Sequence, residues 1–370
     1  MNLNLNLNLN LNLNFNFNLR MLYTYVLYCY MKIFSGNTNK EFAIRICRHL
    51  NLPLGNADIT KFADGEIHIN IHENVRQENC FIIQSTCRNV DENISVNDSI
   101  MELLIMIDAL KRGSAANVNV VIPYYGYSRQ DRKDYSRAPI SAAVIAKCLE
   151  SQNIDRVIVF DLHAGQIAGF FSNRCPLDNL YCEKYIMSYI KTNIIADLNR
   201  NDGRDEVIII APDEGAVKSA IRISTRLKCA AATIFKSRIK PNEIHMMKLM
   251  GDVKGKIAVM VDDMIDTGGT MCKAADLLIE NGAKEVYMLA CHGLFSGNAM
   301  EKINNSCIKK IVVSNTVSHR EEVRKSEKID IIDVSYLCSQ AIQRHNNGES
   351  LSHLYKFDEG DFEPLTVDII

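Results

Sequence analysis

The chain of 370 residues is longer than one hydrophobic core usually supports, so we expect two domains. Hydrophobic residues make up 47% of it and charged residues 23%, which excludes the class of intrinsically disordered proteins. The formal net charge of -2 excludes a broadly basic surface, so we expect neither nucleic acid nor a membrane as a partner, and any phosphate binding must be local.

The twelve cysteines indicate a reducing compartment. None of them forms a Cys-x-x-Cys pair, and most lie inside apolar strand or helix patterns, as Cys148, Cys229 and Cys291 do. Buried free thiols explain this distribution better than disulfides or a zinc site. We therefore expect the protein to be cytoplasmic.

The first 30 residues form a low-complexity extension that we predict to be disordered and to carry no functional site. Asn alternates with Leu or Phe up to Arg20, and the apolar run from Met21 to Tyr30 follows. That run is too short to span a bilayer, but the preceding arginine leaves organelle targeting as an alternative. A translation start further downstream is a second alternative, because Met31 begins a clean strand pattern.

From Met31 onward, short apolar runs alternate with helical patterns, which is typical of β-α units around mainly parallel sheets. We predict two α/β domains, at residues 31–175 and 176–358, and an acidic tail at 359–370. The predicted strands are Lys32–Phe34, Cys80–Gln84, Val118–Pro123, Val157–Asp161, Glu206–Ala211, Ala231–Phe235, Ile257–Val261, Val286–Cys291, Lys310–Val313 and Ile329–Asp333. The predicted helices include Ser95–Lys111, Ser141–Glu150, Ala216–Leu227 and Thr270–Asn281.

The segment KFADGEIHINIHENVR predicts a β-hairpin. Asp64 and Gly65 suit the turn, and the alternation of Ile67, Ile69 and Ile71 suits a strand with one buried face.

The segment VVIPYYGYSRQDRKDYSRAPIS mixes basic and aromatic side chains in the loop after a buried strand. Guanidinium groups suit phosphate oxygens and aromatic faces suit a purine, so the loop favours a grip on a nucleoside triphosphate. A solvated loop in which Asp131 and Asp134 pair with the basic groups is an equally good interpretation. The basic residues concerned are Arg129, Arg132, Lys133 and Arg137.

Polar residues follow two other buried strands. Asp161 and His163 follow one of them, and Asp213 follows the next. Ligands of α/β sheets bind at the carboxyl ends of strands. A lone histidine there is more often structural, but a group of acidic and imidazole side chains suits Mg²⁺ with its water shell and a polyphosphate.

The segment KSRIKPNEI follows the strand ending at Phe235 and is broken by Pro241. Its basic residues, Lys236, Arg238 and Lys240, predict a mobile basic loop that closes over a charged intermediate. A solvated basic turn is the alternative.

The segment IAVMVDDMIDTGGT predicts a strand, an acidic loop and a helix N-terminus. Backbone N–H groups and hydroxyls at the start of a helix bind phosphate, and the carboxylates of Asp262, Asp263 and Asp266 suit sugar hydroxyls or a metal ion. An ordinary strand-to-helix turn is the simpler interpretation, but the coincidence of the acidic residues with the Thr-Gly-Gly-Thr run favours a ribose phosphate site.

Together these motifs resemble one enzyme family over nearly the whole chain, from about Met31 to Tyr355. The order KFADGE, PYYGYSRQDRKDYSRAPIS, DLHAGQIAGFF, PDEG, KSRIKPNE, VDDMIDTGGT, CHGLFSG and NGES is similar to that of ribose-phosphate pyrophosphokinases. The RQDRK loop separates that family from the simpler phosphoribosyltransferases.

The resemblance implies two similar phosphoribosyltransferase-type domains and a reaction in which ATP and ribose 5-phosphate give phosphoribosyl pyrophosphate and AMP, with Mg²⁺. It implies that Asp262, Asp263, Asp266, Thr267, Gly268, Gly269 and Thr270 hold ribose 5-phosphate. It implies that Arg129 and Gln130 bind ATP and that Phe62, Asp64 and Glu66 of a neighbouring subunit hold the adenine. It implies that His163 and Asp213 are Mg²⁺ ligands and that Lys236 and Arg238, with His163, are catalytic.

The resemblance also implies dimers that assemble into hexamers, activation by inorganic phosphate, and an allosteric site for phosphate and ADP that includes Arg76, Arg137, Ser350 and Ser352. The family's pyrophosphate-binding segment usually reads Pro-Asp-x-Gly-Gly, whereas here Glu214 and Ala216 depart from it. A catalytically weak regulatory or scaffold subunit is therefore the alternative function. A nucleobase phosphoribosyltransferase does not account for the RQDRK loop.

Overall fold

The computed structural model describes residues 31–198, 203–240, 243–355, 369 and 370, without the side chains of 197, 237–240, 243–246 and 355. The predicted N-terminal extension, Pro241 and nearly all of the acidic tail lie outside the described residues. Within the described ranges, no helix combines the length and the apolar character needed to cross a membrane.

The elements alternate as the sequence predicts. The strands are β1 (Met31–Ser35), β2 (Ala57–Lys61), β3 (Ile67–Ile71), β4 (Asn79–Ile83), β5 (Asn117–Ile122), β6 (Arg156–Phe160), β7 (Leu177–Leu180), β8 (Val207–Ala211), β9 (Ala230–Lys240), β10 (Glu243–Met250), β11 (Ile257–Ile265), β12 (Glu285–Gly293), β13 (Lys310–Ser314) and β14 (Ile329–Ile332). The α-helices are α1 (Lys40–Leu50), α2 (Val96–Arg112), α3 (Ser141–Glu150), α4 (Glu183–Tyr189), α5 (Val217–Leu227), α6 (Gly269–Glu280), α7 (Ala299–Asn304), α8 (Glu321–Arg324), α9 (Ser335–Asn346) and α10 (Ser352–Tyr355). Shorter helical turns lie at Gly165–Phe170, Ile190–Ile195, Ala196–Leu198 and Arg204–Glu206.

Two mainly parallel sheets confirm the predicted fold class. The first sheet has the order β1-β4-β5-β6-β7 and is parallel throughout. The second has the order β10-β9-β8-β11-β12-β13-β14, in which only the β9–β10 pair is antiparallel. Strand β8 (VIIIA) and the first five residues of β11 (IAVMV) are continuous apolar runs, because helices cover parallel sheets on both faces.

The first sheet continues past residue 175, where we placed the domain boundary. Strand β7 pairs in parallel with β6, with Leu177 opposite Val157. A division at 175 separates β7 from its own sheet, and the second sheet begins with β8. The sequence LDNL of β7 carries no apolar run, so strand patterning does not detect it.

Local sequence signals explain two confirmed elements. Helix α2 begins with a capping box, in which Ser95 Oγ accepts the Asp98 N–H at 3.1 Å and the Asp98 carboxylate accepts the Ser95 N–H at 2.9 Å. The predicted hairpin is formed by β2 and β3, and the Phe62 N–H donates to the Glu66 carbonyl at 2.8 Å across its turn.

The prediction of a mobile basic loop after Phe235 is wrong. Strand β9 continues through Lys240 and pairs antiparallel with β10, so that Lys236 lies opposite Met247. The partner strand satisfies backbone groups that a loop leaves to water, and this pairing is why the chain stays extended. The sequence pattern missed β10 altogether.

One hydrophobic core joins the two sheets. It contains Ile33 and Phe42 from the first half of the chain together with Val259, Leu337 and Ile342 from the second. Helix α9 packs on α1 within this core, and the ion pair between Arg45 and Asp333 (3.1 Å) lies beside the contact. The shared core fixes the position of one sheet relative to the other.

Candidate active site

Three neighbouring strands of the second sheet bring charged residues to one edge. Asp213 follows β8, Lys236 lies in β9, and Asp262 lies in β11. Since β8 pairs in parallel with both β9 and β11, these positions meet at the same end of the sheet. The Lys236 Nζ atom lies 3.3 Å from Asp213 Oδ2, and only 8% of the Lys236 side chain is exposed.

His163 reaches this edge from the first sheet. Its Nδ1 atom lies 2.8 Å from Oδ2 of Asp263. That hydrogen bond raises the pKa of His163 above its usual value. Burial alone raises the pKa of Asp263, but the hydrogen bond and charge of His163 outweigh burial and hold this pKa below its usual value. The contact joins the two halves of the chain.

Asp262 lies among like charges. Its burial, followed by the neighbouring carboxylates of Asp263 and Asp213, raises its pKa well above the usual value. The carboxylates of Asp213, Asp262 and Asp263 therefore lie near the ammonium of Lys236 and the imidazole of His163. Carboxylates and an imidazole are ligand types that suit a divalent cation such as Mg²⁺.

The segment after β11 forms the turn and the helix start that the sequence predicts. Gly268 adopts φ 71°, which a residue with a Cβ adopts at a cost, and α6 begins at Gly269. The first N–H groups of a helix have no intrahelical partner, so this end of α6 offers donors to a phosphate. The buried face of α6, formed by Met271, Ala274, Ala275 and Leu278, fixes the helix against the sheet.

Lys302 adds a positive charge to the turn, which the sequence analysis missed. Its Nζ atom on α7 lies 3.3 Å from the carbonyl oxygen of Thr267 and 3.8 Å from the position of a Cβ built on Gly269. No motif marks this lysine, because the loop at 294–298 and the fold of α7 bring it there.

Arg129 crosses from the loop after β5 to the turn after β11. Its guanidinium forms an ion pair with Oδ2 of Asp266 and lies beside the Tyr124 hydroxyl. The other carboxylate oxygen, Asp266 Oδ1, is buried and has no hydrogen-bond partner among the described residues. A buried oxygen in this state needs a donor, and a ligand hydroxyl supplies one.

The other residues of the Arg129 loop bear on the two interpretations of the sequence, a nucleotide-binding loop and a solvated loop. Arg132 pairs with Asp134 at 2.8 Å in an exposed position, as in the solvated alternative. Asp131 accepts a hydrogen bond from Gln166, and Gln130 accepts one from Ser141. Arg129 alone of this loop's basic residues contacts the acidic turn.

A cavity of about 1030 Å³ opens beside Arg129 and Gln130. It is lined by segment 86–98 from the first half of the chain and by segments 294–297 and 318–323 from the second half. The hairpin contributes Lys61 to this lining, whereas Phe62, Asp64 and Glu66 lie exposed at its turn. Phe62 is 56% exposed. Within one chain, these three predicted adenine-binding residues therefore do not join Arg129.

Other predicted site residues lie apart. Ser350 Oγ lies 3.0 Å from Ser352 Oγ, near the end of α9. Within the described residues, no hydrogen bond or ion pair joins this serine pair to Arg76 or Arg137, which are both exposed. Arg238 lies in β9, but its side chain is not described.

The unusual PDEG segment folds as a turn around Asp213. Oδ1 of Asp213 accepts the N–H groups of Gly215 at 3.0 Å and Ala216 at 3.3 Å. Ala216 is 6% exposed and packs into the shared core, whereas Glu214 is exposed. The additional methyl group of Ala216 therefore packs against protein rather than into the charged edge.

Comparisons with known proteins agree with this geometry. Residues 31–152 match the model of the N-terminal domain of ribose phosphate pyrophosphokinase, and residues 228–356 match the phosphoribosyl synthetase-associated domain. The chain is 46% identical over 325 residues to ribose-phosphate pyrophosphokinase A of Dictyostelium discoideum, an alignment that covers 88% of this chain and 98% of the relative. The chain belongs to the ribose-phosphate pyrophosphokinase family.

Two further relatives support the family at the level of sequence and structure. Ribose-phosphate pyrophosphokinase of Fusobacterium nucleatum is 43% identical, with coverage of 88% of this chain and 98% of the relative. The crystal structure of phosphoribosylpyrophosphate synthetase from Mycobacterium smegmatis superposes with a TM-score of 0.77 at 33% identity, over 86% of this chain and 99% of that one. The resemblance inferred from the sequence motifs is thereby confirmed, and the chain is an enzyme of the ribose-phosphate pyrophosphokinase class.

Proposed function

We propose that this chain is an active ribose-phosphate diphosphokinase. It transfers the pyrophosphoryl group of Mg-ATP to the anomeric hydroxyl of ribose 5-phosphate and yields 5-phosphoribosyl 1-pyrophosphate and AMP for nucleotide biosynthesis. The observation that carries the proposal is the meeting of Arg129 with Asp266. It brings the loop assigned to ATP into contact with the loop assigned to ribose 5-phosphate.

Ribose 5-phosphate binds along the turn after β11. Its phosphate lies at the N-terminus of α6, against Thr267, Gly268, Gly269 and Thr270, with Lys302 adding positive charge. Its ribose hydroxyls donate to Asp262, Asp263 and Asp266. Asp266 Oδ1, buried and without a protein donor among the described residues, is the acceptor that most requires such a hydroxyl.

ATP binds from the side of the first sheet. Arg129 and Gln130 contact its phosphates, and His163 and Asp213 hold Mg²⁺. When bound, the ion neutralises charge on the polyphosphate. Burial and then the neighbouring carboxylates raise the pKa of Asp262, so a bound cation would stabilise its charged form.

The chemical step depends mainly on position and charge. Lys236 is held by Asp213 with its ammonium group at the charged edge and most of its side chain buried. Lys236 and Arg238, together with His163, stabilise the negative charge that develops as the pyrophosphoryl group leaves AMP. The two sheets share a core, so the donor and acceptor loops keep one relative position.

The proposal extends to assembly and regulation. Phe62, Asp64 and Glu66 lie exposed on a hairpin and suit an adenine site that a neighbouring subunit completes. We therefore assign a homodimer that assembles into a hexamer, located in the cytoplasm. Inorganic phosphate activates it through Arg76, Arg137, Ser350 and Ser352, which lie apart within one chain and require a neighbouring subunit to form one site.

The deciding experiment measures AMP and phosphoribosyl pyrophosphate released by the purified full chain. The assay contains ATP, Mg²⁺ and inorganic phosphate, with and without ribose 5-phosphate. Equal amounts of both products, dependent on ribose 5-phosphate, are expected. No turnover at high protein concentration contradicts the proposal and favours the regulatory or scaffold subunit, and nucleobase-dependent turnover favours a phosphoribosyltransferase.

A further inference from the structure

A second cluster of ligand-type side chains lies behind the active site. The carboxylate of Asp161 and the thiols of Cys182 and Cys291 offer ligand atoms that all lie within 4.8 Å of one another. The two sulfur atoms are 3.0 Å apart. The proposed function uses none of these three groups.

The cluster has a fourth member. Ser314 Oγ lies 3.7 Å from the Cys291 sulfur and also contacts the Cys182 thiol. The Ser314 hydroxyl donates to the Cys291 carbonyl oxygen at 2.7 Å, so the ligand set itself is two thiols and one carboxylate. Zinc usually takes four ligands and prefers thiolate sulfur, so water would supply the fourth ligand.

The surrounding structure holds these groups in place. Both cysteines are buried, at 0% and 1% exposure. Asp161 Oδ2 accepts the Cys182 N–H at 2.8 Å, and Asp161 adopts φ 33°, an uncommon conformation for a residue with a side chain. His292 fixes the same region by hydrogen-bonding the Phe160 carbonyl at 3.1 Å and lies beside Asp161. The ligand-bearing segments are thus tied together before any ion binds.

We propose that Asp161, Cys182 and Cys291, with the Ser314 hydroxyl beside them, form a site for a thiophilic divalent cation, with Zn²⁺ as the ion that fits it. Both thiols lose their protons to solvent when the ion binds. Asp161 and Cys182 follow strands of the first sheet, whereas Cys291 and Ser314 lie in strands of the second. The ion therefore links the two sheets two residues from His163.

The carboxylate beside the two thiols favours an ion over a disulfide. Two Zn–S bonds of about 2.3 Å at a tetrahedral angle place sulfur atoms about 3.8 Å apart, so the thiols separate by less than 1 Å on binding. A disulfide requires about 2.05 Å and uses neither Asp161 nor Ser314. The carboxylate ligand distinguishes this cluster from a simple pair of cysteines.

The test begins with the full-length protein purified under reducing conditions, supplied with Zn²⁺, and passed over a desalting column. Elemental analysis is expected to find about one tightly held zinc per chain. Replacement by Co²⁺ is expected to give a sulfur-to-cobalt charge-transfer band in the near ultraviolet, which oxygen ligands at the Mg²⁺ site do not produce.

Three variants assign the site. Cys182→Ala and Cys291→Ala are each expected to lose the band and most of the bound zinc. Cys175→Ser, a buried cysteine outside the cluster, is expected to keep both. The Co²⁺ spectrum of the unmodified protein decides the question even where a variant fails to fold.

Two results overturn the proposal. One is a protein that binds neither Zn²⁺ nor Co²⁺ through sulfur and in which both thiols react as free thiols after unfolding. The other is a Cys182–Cys291 disulfide found by peptide mass spectrometry in protein kept under reducing conditions.

Discussion

Replacing Lys236 by methionine tests the proposed chemistry most directly. The ammonium lies 3.3 Å from Asp213 and its side chain is 8% exposed, so methionine keeps the apolar stem and removes only the charge. At an effective dielectric constant of about 20, two unit charges at this distance interact by about 5 kcal/mol. Desolvation offsets part of such an energy, and removing one charge-stabilising donor in comparable sites costs about 3 to 4 kcal/mol.

We therefore expect kcat to fall about 100- to 1000-fold, with the KM for ribose 5-phosphate nearly unchanged, because the lost interaction belongs to the transition state. The assay is ribose 5-phosphate-dependent release of AMP. Lys284→Met is the matched control, since Lys284 forms an exposed pair with Glu206 at 3.1 Å. It is expected to keep wild-type turnover.

Thermal unfolding separates a catalytic effect from loss of structure. Asp213 is 40% exposed, so water hydrates its carboxylate after Lys236 is replaced, and we expect the variant to remain folded. An unchanged kcat refutes the catalytic role of Lys236. A raised KM with normal kcat shows instead that Lys236 contributes only to ground-state binding.

Three further predictions concern the same site. The raised pKa of His163 stabilises the folded protein below pH 6.5, and this stabilisation is lost as the pH rises through the raised pKa. The lowered pKa of Asp263 stabilises the folded protein above pH 3.8, and this stabilisation is lost as the pH falls through the lowered pKa. The pair therefore stabilises the protein most between pH 3.8 and pH 6.5. Asp263→Asn should therefore shift the His163 titration, followed by NMR, to lower pH, and an unshifted titration contradicts the pairing. Gly268→Ala meets no atom closer than 3.8 Å but forces a side chain to φ 71°, so it should cost about 1 to 2 kcal/mol and raise the KM for ribose 5-phosphate; an unchanged KM removes this turn from phosphate binding. Ala216→Gly should leave kcat unchanged, because the methyl group packs into the core, and a tenfold gain in kcat shows that it obstructs the site.

The sequence predicts the parallel sheets and the acidic turn because their signals are local. An apolar run followed by DDMIDTGGT specifies a strand, a loop and a helix start within one segment. Strands β7 and β10 lack such runs and form because a partner strand lies beside them. The basic residues after Phe235 indicated a loop because their strand conformation depends on pairing with β10, which the local sequence does not reveal.

Residue contacts across the two halves depend on the assembled fold. Lys302 reaches Thr267 through the packing of α7, and the cluster of Asp161, Cys182 and Cys291 joins three separate segments. The sequence analysis placed Cys291 among isolated buried thiols, because spacing along the chain does not reveal that another cysteine lies 3.0 Å away. Family resemblance assigned roles to the residues in motifs but was silent on such positions.

Two ion pairs at the proposed site constrain how the substrates bind. Arg129 pairs with Asp266 and Lys236 with Asp213, so each cation contacts a carboxylate assigned to a different ligand. Mg²⁺ held by Asp213 competes with Lys236 for that carboxylate. We expect a ribose hydroxyl to bind Asp266 Oδ1, the oxygen without a hydrogen-bond partner among the described residues, while Arg129 keeps its ion pair with Oδ2. Asp266 therefore holds the ribose through one oxygen and orients the ATP-binding Arg129 through the other, so we expect the binding of ATP and ribose 5-phosphate to be cooperative.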